Sequence, residues 1–581
     1  MSVFRFLVLS WNAADPECSA RARQIAVTLS HRLPEFRGVL RIPGLQVLIA
    51  GEERGTNSVH RLHGSSGVVL GVLFARHGSS SSACKASLNR TASEAIVNSG
   101  GAALVERYWG RYVAFLADAT GTRWVVRDPS GSLPCLLAQS NGIGIHFSWI
   151  EDYCALAGSI PSLDWKFIAA HALARLVDTR ETGLQGISEI LPGEALRLRQ
   201  STSSRHMIYR PALHATQGII EDPVAATAAI RDAVRSCVGA WASLYPRLVH
   251  RLSGGLDSSI VLACLRMSRD AGLFCVNYRG TGFEGDERFF AGRMAAQVRC
   301  PLQEIDRTTQ VALDEIPAFA LSPRPAPSLI GYDSILTAHG RRTRSRRRLL
   351  VFGGVGGDQV FFQNPAVLTI ADRMRRAPLA GGMFKAVLDA ACMQGYSIWW
   401  VLRKAMRACS DHPWTVADVA GNRQLLRTAV VDDLMSERRF VHPWLSDPAA
   451  NDLPPGKLWQ LFALSTPLPY YDYVRSHCTP ERVEPLLSQP VVEACLRIPS
   501  YRLLAGGRDR ALARRAFANE LPREIAVRRS KGGFEQYVHA VLRRNLPYVR
   551  AQLLDGMLVS HGIVDGEKLR CASGMRQHAS P

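Results

Sequence analysis

Short apolar stretches separated by turn residues fill the first two hundred positions of the chain. Five of them are "GVVLGVLFAR", "YVAFLAD", "RWVVRD", "GIGIHFSW" and "EALRLR", and such runs predict β-strands. Met1–Asn12 predicts a further strand, because its apolar run is short and broken by Arg5. The segment His77–Ala83, "HGSSSSA", is predicted to be a loop inside this region, since strand-like segments continue on both sides. We therefore expect a β-rich N-terminal domain over residues 1–205.

The pattern changes over residues 206–581, which we expect to form a second domain. Asp222 can cap a helix with Pro223 at its first position, and apolar residues recur at helical spacing through Val234–Trp241. Strand patterns at residues 247–252, 273–278 and 348–354 then alternate with helices after Asp257 and from Asp286. This alternation predicts a parallel sheet. Beyond about residue 364 the pattern is mainly helical.

Composition is compatible with this two-domain α/β organisation. The chain has 581 residues, 47% of them hydrophobic, and a net charge of +20. The densest basic run is Arg341–Arg348, "RRTRSRRR". It is typical of a solvated loop or helix end, and it lacks the interleaved aromatic residues of an RNA-binding patch, so nucleic acid is not the expected partner.

The cysteines and the hydropathy profile predict a cytoplasmic protein. The thirteen cysteines are scattered without a C-x-x-C pair, a pattern that favours reduced core thiols over disulfides or a zinc site. No apolar stretch approaches the length needed to cross a bilayer. We expect no membrane partner.

The strongest chemical signal is the heptapeptide Ser253–Ser259, "SGGLDSS", between a predicted strand and a predicted helix. Gly254 and Gly255 permit a sharp turn, and the following helix directs its free N–H groups and positive dipole end at the loop. Ser253, Ser258 and Ser259 complete a loop suited to a polyphosphate. Without the lysine of a phosphate-transferring P-loop, Asp257 indicates a magnesium ligand beside a pyrophosphate. The structural alternative is a turn in which Asp257 merely caps the helix.

A competing motif is the G-x-G-x-x-G spacing of Gly280, Gly282 and Gly285, which matches a dinucleotide fingerprint. Glu284 and Asp286 in this loop would repel a pyrophosphate. The preceding loop is also better suited to phosphate, so we favour no nicotinamide or flavin site here.

A second glycine-rich loop follows the third strand of the alternating region, in "VFGGVGGDQVFF" (residues 351–362). Loops at the carboxyl ends of parallel strands gather at one edge of the sheet. Asp358 can therefore face Asp257 and share a magnesium ion, or it can simply cap a turn.

Together these motifs resemble the synthetase domain of the asparagine synthetase family. Further similarity lies in "RDPSGSLP" from Arg127, "GISEILPG" from Gly186, and the C-terminal block from Leu496 that contains "RRSKGGFEQ". The resemblance implies an α/β fold with a degenerate Ntn-hydrolase-like αββα domain, followed by an adenine-nucleotide α-hydrolase-like parallel-sheet synthetase domain. It implies the cofactors ATP and Mg²⁺, with Asp257 and Asp358 binding the metal and Lys531 as the catalytic lysine. The residues implied to contact the adenosine part of ATP are Leu252, Val276, Gly353 and Gly354.

Two departures from the family pattern bear on function. Glutamine-dependent members carry a nucleophilic cysteine after the initiator methionine, where this chain has Ser2. We also find no glutamine-binding "NGEIYN" or "RGPD" segment, so Ser2 is predicted to be inert. Val355 stands where an asparagine synthetase has the glutamate of "SGEGSDE", which disfavours synthesis of free asparagine.

A "GVGGD" loop beside a glutaminase domain without its cysteine resembles the lasso-peptide cyclases of this family. The implied reaction adenylates an Asp or Glu side chain of a precursor peptide and closes a macrolactam (isopeptide) bond with the peptide's own amine. A leader-binding protein and a cysteine protease of the same pathway could act as partners. The alternatives are an ammonia- or glutamine-dependent asparagine synthase, a β-lactam synthetase and, more distantly, a tRNA-modifying ATP pyrophosphatase.

Overall fold

The chain is described from a computed structural model. The described residues are 4–51, 57–76, 88–174, 179–200, 202–269, 272–279, 286–307, 309–314, 322–324, 349–363, 366–376, 382–410, 423–436, 441–466, 481–529, 532–533 and 535–572.

Two six-stranded antiparallel sheets form the N-terminal region. The strands are β1 (Arg5–Trp11), β2 (Arg37–Ile42), β3 (Leu45–Ala50), β4 (Ser58–Arg61), β5 (Gly67–Ala75), β6 (Tyr108–Ala117), β7 (Arg123–Arg127), β8 (Leu136–Ser140), β9 (Ile143–Phe147), β10 (Ile187–Glu189), β11 (Glu194–Arg199) and β12 (Thr202–Met207). The first sheet has the order β10-β8-β9-β1-β3-β2, and the second has the order β12-β11-β7-β6-β5-β4.

Helices cover the outer faces of both sheets. The helices of this region are α1 (Pro16–Arg32), α2 (Arg90–Asn98), α3 (Ala102–Arg107), α4 (Ile150–Ala157), α5 (Trp165–Ala174) and α6 (Pro211–Thr216). The first sheet packs on α1 and α4, and the second packs on α2 and α3. The remaining faces of the two sheets pack on each other. The predicted αββα layering is therefore confirmed.

Strand β1 shows how the sequence produces these layers. Successive side chains of a strand point to opposite faces of the sheet. Phe6 and Val8 accordingly point into the space between the sheets, whereas Leu7 and Leu9 pack toward α1 and α4. Because both faces are covered, residues 6–9 form a continuous apolar run instead of alternating with polar residues.

The C-terminal region contains a five-stranded parallel sheet with the order β15-β14-β13-β16-β17. Its strands are β13 (Arg247–Arg251), β14 (Leu273–Arg279), β15 (Leu302–Asp306), β16 (Leu349–Phe352) and β17 (Glu481–Val483), and its helices include α7 (Pro223–Ser243), α8 (Leu256–Ser268) and α9 (Arg288–Gln297). The predicted cap of α7 is confirmed, because the Asp222 carboxylate accepts a hydrogen bond from the Ala225 N–H at 2.7 Å.

Helices dominate the described residues beyond β16, as the sequence predicts. They are Gly357–Val360, Ala366–Arg376, Met383–Gln394, Ile398–Ser410, Thr428–Ser436, Pro448–Asn451, Pro455–Ser465, Gln489–Leu496, Ser500–Leu503, Ala511–Ala516, Arg523–Val527, Glu535–Arg544, Leu546–Leu554, Met557–Ser560 and Gly566–Ala572. A 3-10 turn lies at Pro485–Leu487, and another, in the N-terminal region, at His63–Ser65.

The second N-terminal sheet and the parallel sheet share one apolar cluster across α7. The Phe74 ring lies 5.3 Å from Trp241, and the Trp109 ring lies 6.2 Å from it. Beside these rings, the Arg76 guanidinium contacts both carboxylate oxygens of Glu493, at 2.6 and 2.7 Å. Edge-to-face aromatic contacts and a bidentate ion pair therefore join the two regions.

The structure also bears on the remaining expectations about the chain. The cysteines of the described part, seven of them buried, have free thiols. Among the described residues, no helix has the length and apolar character to cross a membrane. The predicted loop His77–Ala83 and the basic run Arg341–Arg348 include residues outside the described part.

Candidate active site

A cavity of about 410 Å³ opens at the carboxyl ends of β13, β14 and β16. Parallel α/β sheets generally bind ligands at this edge. The structure brings ten of the residues singled out in the sequence to its wall: Leu252, Ser253, Gly255, Asp257, Ser258, Val276, Gly353, Gly354, Val355 and Asp358.

The loop from Ser253 leads from β13 into α8 through a tight turn at Gly254, whose φ is +82°. A Cβ at Gly254 would lie 2.8 Å from the Glu287 carbonyl oxygen, so both the conformation and the space require glycine. The hydroxyls of Ser253 and Ser258 lie 3.0 Å apart, and the Ser259 hydroxyl donates to the Gly255 carbonyl at 2.8 Å.

The N-terminus of α8 is arranged to receive an anion. Its N-cap residue, Gly255, provides no side-chain hydrogen bond, so the N–H groups of the first turn are not capped by that residue. These groups and the helix dipole favour negative charge at this end. The loop is therefore suited to a pyrophosphate, as the motif predicts.

Glycines of the second loop allow it to approach the first. A Cβ at Gly354 would lie 2.6 Å from the Ser258 backbone nitrogen, and one at Gly357 would lie 2.2 Å from the Asp257 side chain. Both contacts would be clashes. The glycines thus place Asp358, at the start of the helix Gly357–Val360, beside Asp257.

Arg510 joins these two carboxylates, and sequence reasoning did not identify it. Its Nη1 donates to Asp257 Oδ2 at 2.7 Å and to Asp358 Oδ1 at 2.8 Å, and Asp509 pairs with it at 2.9 Å. Burial by itself would lower the pKa of Arg510, but the carboxylates of Asp257, Asp509 and Asp358 raise it overall. The cation is therefore held between the two predicted metal ligands.

The chemistry of Asp257 and Asp358 fits a magnesium ion. Both carboxylates come within hydrogen-bonding distance of one guanidinium nitrogen, so their oxygens converge on one region of the cavity. Carboxylate oxygens and phosphate oxygens are the donors that Mg²⁺ prefers.

Backbone contacts between neighbouring strands hold the predicted adenosine side of the cavity. The Leu252 N–H donates to the Val276 carbonyl at 2.9 Å, and the Asn277 side chain donates to the Leu252 carbonyl at 2.8 Å. At Gly353, a Cβ would lie 2.2 Å from the Glu484 carboxylate. Asn277 and Glu484 thus position the backbone at Leu252 and Val355, next to the predicted adenosine contacts. Neither Asn277 nor Glu484 lies in a motif recognised in the sequence.

Glu287 connects the loop that begins at Ser253 with residues on both sides of the predicted catalytic lysine, Lys531. Its carboxylate pairs with Arg528 at 2.8 Å and accepts from the Gly532 N–H at 3.0 Å. Arg528 in turn donates to the Gly254 carbonyl at 3.2 Å and stacks on the Phe290 ring at 3.8 Å. Lys531 itself lies outside the described residues.

Other residues considered in the sequence also fall outside the described part of the chain. They are Ser2, Gly280, Gly282, Glu284 and Gly285. Asp286, which is described, pairs with Arg288 at 2.6 Å, and this contact lowers the Asp286 pKa to about 2.

Comparison with known proteins gives one family match. A family model described as asparagine synthase matches residues 228–579. No curated protein sequence matches the chain.

Two solved structures share a distant similarity with the chain. One is titled as the allosteric regulatory enzyme of purine biosynthesis, with 10% identity, 60% of this chain and 74% of the other covered, and a TM-score of 0.21. The other is a glutamine phosphoribosylpyrophosphate amidotransferase from B. subtilis in complex with ADP and GMP, with 10% identity, coverage of 64% and 77%, and a TM-score of 0.21. Similarity at this level says nothing about activity.

Proposed function

Because this chain belongs to the asparagine synthase family and is an ATP-dependent carbon–nitrogen ligase of that type, we propose that its product is a macrolactam. A side-chain carboxylate of a precursor peptide attacks the α-phosphate of ATP, which forms an acyl-adenylate and releases pyrophosphate. The peptide's own N-terminal amine then attacks the acyl carbon, which forms the amide and releases AMP. Ammonia is not required, in keeping with Ser2 in place of a nucleophilic cysteine.

The observation that carries this proposal is the cavity wall at Val355. This residue lines the cavity, its side chain packs against the apolar core, and its N–H donates to Glu484 at 3.1 Å. A carboxylate at this position could pair with the ammonium group of free aspartate, whereas valine cannot. An apolar side chain at this point of the wall therefore favours an acyl donor inside a peptide, where that amine is already an amide.

The charged residues around the cavity have separate roles in the first step. The N–H groups at the start of α8, with Arg510, neutralise the leaving pyrophosphate. Asp257 and Asp358 would hold the magnesium ion, which stabilises negative charge on the phosphate oxygens. Leu252 and Val276, both almost fully buried, provide apolar surface beside the adenosine.

We infer that the peptide is the principal partner and that the cytoplasm is the site of action. The net charge of +20 favours an acidic precursor. A leader-binding protein and a cysteine protease would deliver and trim this peptide.

Two reactions run in parallel test the proposal. In the first, the enzyme, ATP, Mg²⁺ and the linear precursor should give AMP, pyrophosphate and a product lighter by one water, as measured by mass spectrometry. In the second, aspartate and ammonia replace the peptide, and asparagine should stay at background. Asparagine formation without peptide cyclisation would contradict the macrolactam assignment and favour the asparagine synthase alternative.

A third reaction tests whether glutamine is a nitrogen donor. Release of glutamate from glutamine in the presence of ATP should stay at background. Glutamate release that disappears in Ser2→Ala would show that the N-terminal domain retains amidotransferase activity.

A further inference from the structure

Lys457 is a buried cation outside the cavity. It lies on the helix Pro455–Ser465 with 1% of its surface exposed. Its ammonium group donates to Gln460 Oε1 at 2.7 Å and to the Cys495 carbonyl at 3.0 Å. Burial lowers the Lys457 pKa to about 7. Burial of a lysine side chain lowers the stability of the fold. The contacts of Lys457 indicate a structural role that could offset this loss.

These contacts determine how the Gln460 amide is oriented. Lysine can only donate hydrogen bonds, so the amide oxygen of Gln460 faces Lys457 and the amide nitrogen points the other way. That nitrogen donates to the Val360 carbonyl at 2.9 Å and to the Gln359 carbonyl at 3.3 Å. Gln460 is fully buried.

The two acceptor carbonyls end the short helix Gly357–Val360 that carries Asp358. The last carbonyl groups of a helix have no partner within the helix. A buried helix end needs an outside donor, and Gln460 provides it. Lys457 therefore connects, through one amide, to the backbone immediately after a predicted metal ligand.

A second contact from the same helix supports this backbone. Phe362 has a φ of +66°, in the left-handed region that bulky residues rarely adopt. Its ring is fully buried and lies 5.4 Å from the Trp459 ring. Such a conformation persists only where the surroundings hold it.

We propose that Lys457 and Gln460 are positioning residues that fix Asp358 against Asp257 and Arg510. Lys457 orients the Gln460 amide, the amide holds the end of the helix Gly357–Val360, and the helix aims Asp358 into the cavity. The catalytic consequence rests on the proposed function of the cavity, whereas the structural link does not.

Hydrogen exchange tests the structural link without any activity. In Gln460→Met, the amides of residues 356–363 should exchange about tenfold faster. Loss of one buried hydrogen bond lowers the free energy of local opening by about the amount that corresponds to this factor. Gln489→Met is the matched control, since Gln489 is also buried and its amide donates to the Val105 carbonyl at 3.0 Å and to Glu493 at 2.9 Å, neither of which belongs to the helix Gly357–Val360. Unchanged exchange in Gln460→Met, or an equal rise in Gln489→Met, would overturn the proposal.

Gln460→Glu distinguishes the contact with Lys457 from the hydrogen bonds that the amide nitrogen donates to the helix end. It also provides a second variant if Gln460→Met does not fold. It keeps an oxygen facing Lys457 and replaces the donor nitrogen with an acceptor, so exchange in residues 356–363 should again be faster. Lys457→Met should have the same effect. The double variant Lys457→Met/Gln460→Met should be no worse than Gln460→Met, because one residue acts through the other. Additive effects would show independent structural roles and contradict the proposal.

The functional readout is the Mg²⁺ concentration at half-maximal pyrophosphate release. It should rise severalfold in Gln460→Met and stay at the wild-type value in Gln489→Met. If the wild-type enzyme releases no pyrophosphate, the proposed function is refuted. The hydrogen-exchange experiment still tests the structural link in that case. A wild-type Mg²⁺ dependence in Gln460→Met, despite faster exchange, would refute the positioning role alone.

Discussion

At the scale of single residues, the positions of Asp257 and Asp358 in the cavity could be predicted from the sequence. Both follow predicted strands in glycine-rich loops, and the rule for parallel sheets placed them at one edge, where the structure has them within reach of Arg510. Arg510 could not be singled out. It belongs to no spaced motif, and only the fold brings the turn before the helix Ala511–Ala516 to the two loops. Its contacts with the carboxylates of Asp257, Asp358 and Asp509 follow from the three-dimensional structure alone.

Substitution of either cavity aspartate should disable the first chemical step. Asp257→Asn or Asp358→Asn retains the size of the side chain but removes a negative charge that would hold the metal–pyrophosphate unit. We expect pyrophosphate release to slow by on the order of 10² to 10³. Asp509→Asn is the control, because Asp509 also pairs with Arg510, and it should have a much smaller effect. A wild-type rate in Asp358→Asn would reduce that residue to a structural turn.

Lys531→Met should separate nucleotide binding from ring closure. An ammonium group near the reacting carbonyl would stabilise charge on the carbonyl and phosphate oxygens as the amine attacks. We expect ATP binding close to wild type and a steep fall in macrolactam formation, both measured on the same preparation. Arg529→Met removes an exposed neighbouring cation and should leave both quantities nearly unchanged. Cyclisation at the wild-type rate in Lys531→Met would assign the catalytic cation elsewhere.

At the scale of elements, strands and helices with a strong periodic pattern could be predicted from the sequence, whereas very short elements and mainly polar ones could not. The strands β5, β6, β13 and β14 and the capped helix α7 lie where the sequence predicts them. Strand β17 was missed because three residues are too few to show a period. The helix α1 was missed because most of its residues are polar, with only Cys18, Ala22 and Leu29 buried. Such elements depend on tertiary packing more than on their own pattern.

The N-cap of α7 should contribute measurably to stability. Asp222 accepts a hydrogen bond from the Ala225 N–H, and α7 packs between the parallel sheet and the second N-terminal sheet. We expect Asp222→Ala to lower the unfolding free energy by about 1 kcal/mol, measured by urea denaturation. Asp232→Ala, at an exposed site on the same helix, should cost less. Equal losses would mean that the cap is not the source of the effect.

At the scale of the whole molecule, the shared apolar cluster and the Arg76–Glu493 pair favour cooperative unfolding of the two regions. Neither feature could be predicted from the sequence. The residues involved are far apart in the chain, and no local pattern links them. The αββα and parallel-sheet architectures followed from motifs and resemblance, but their joint surface depends on side-chain shapes that no local pattern encodes.

Three buried histidines, His146 in the N-terminal region and His250 and His442 in the C-terminal region, provide a test of this cooperativity through pH. Burial lowers the pKa of His146 and of His442 to about 3, and that of His250 to about 4. The unfolded chain therefore binds more protons than the folded chain once the pH falls below about 6.5. Each histidine should thus lower the unfolding free energy by about 1 kcal/mol between pH 6.5 and 5.5.

The measurement compares variants, because other groups oppose this trend. Burial raises the pKa of Asp372 to about 6. Protonation of this carboxyl therefore raises the unfolding free energy on acidification over the same pH range. His146→Gln, His250→Gln and His442→Asn keep a polar contact and remove the titration. If the chain unfolds as one unit, each variant should reduce the loss of stability between pH 6.5 and 5.5 by about 1 kcal/mol, whereas His539→Gln, at an exposed position, should not. A variant that alters only one of two separate transitions would show instead that the regions joined at α7 unfold independently.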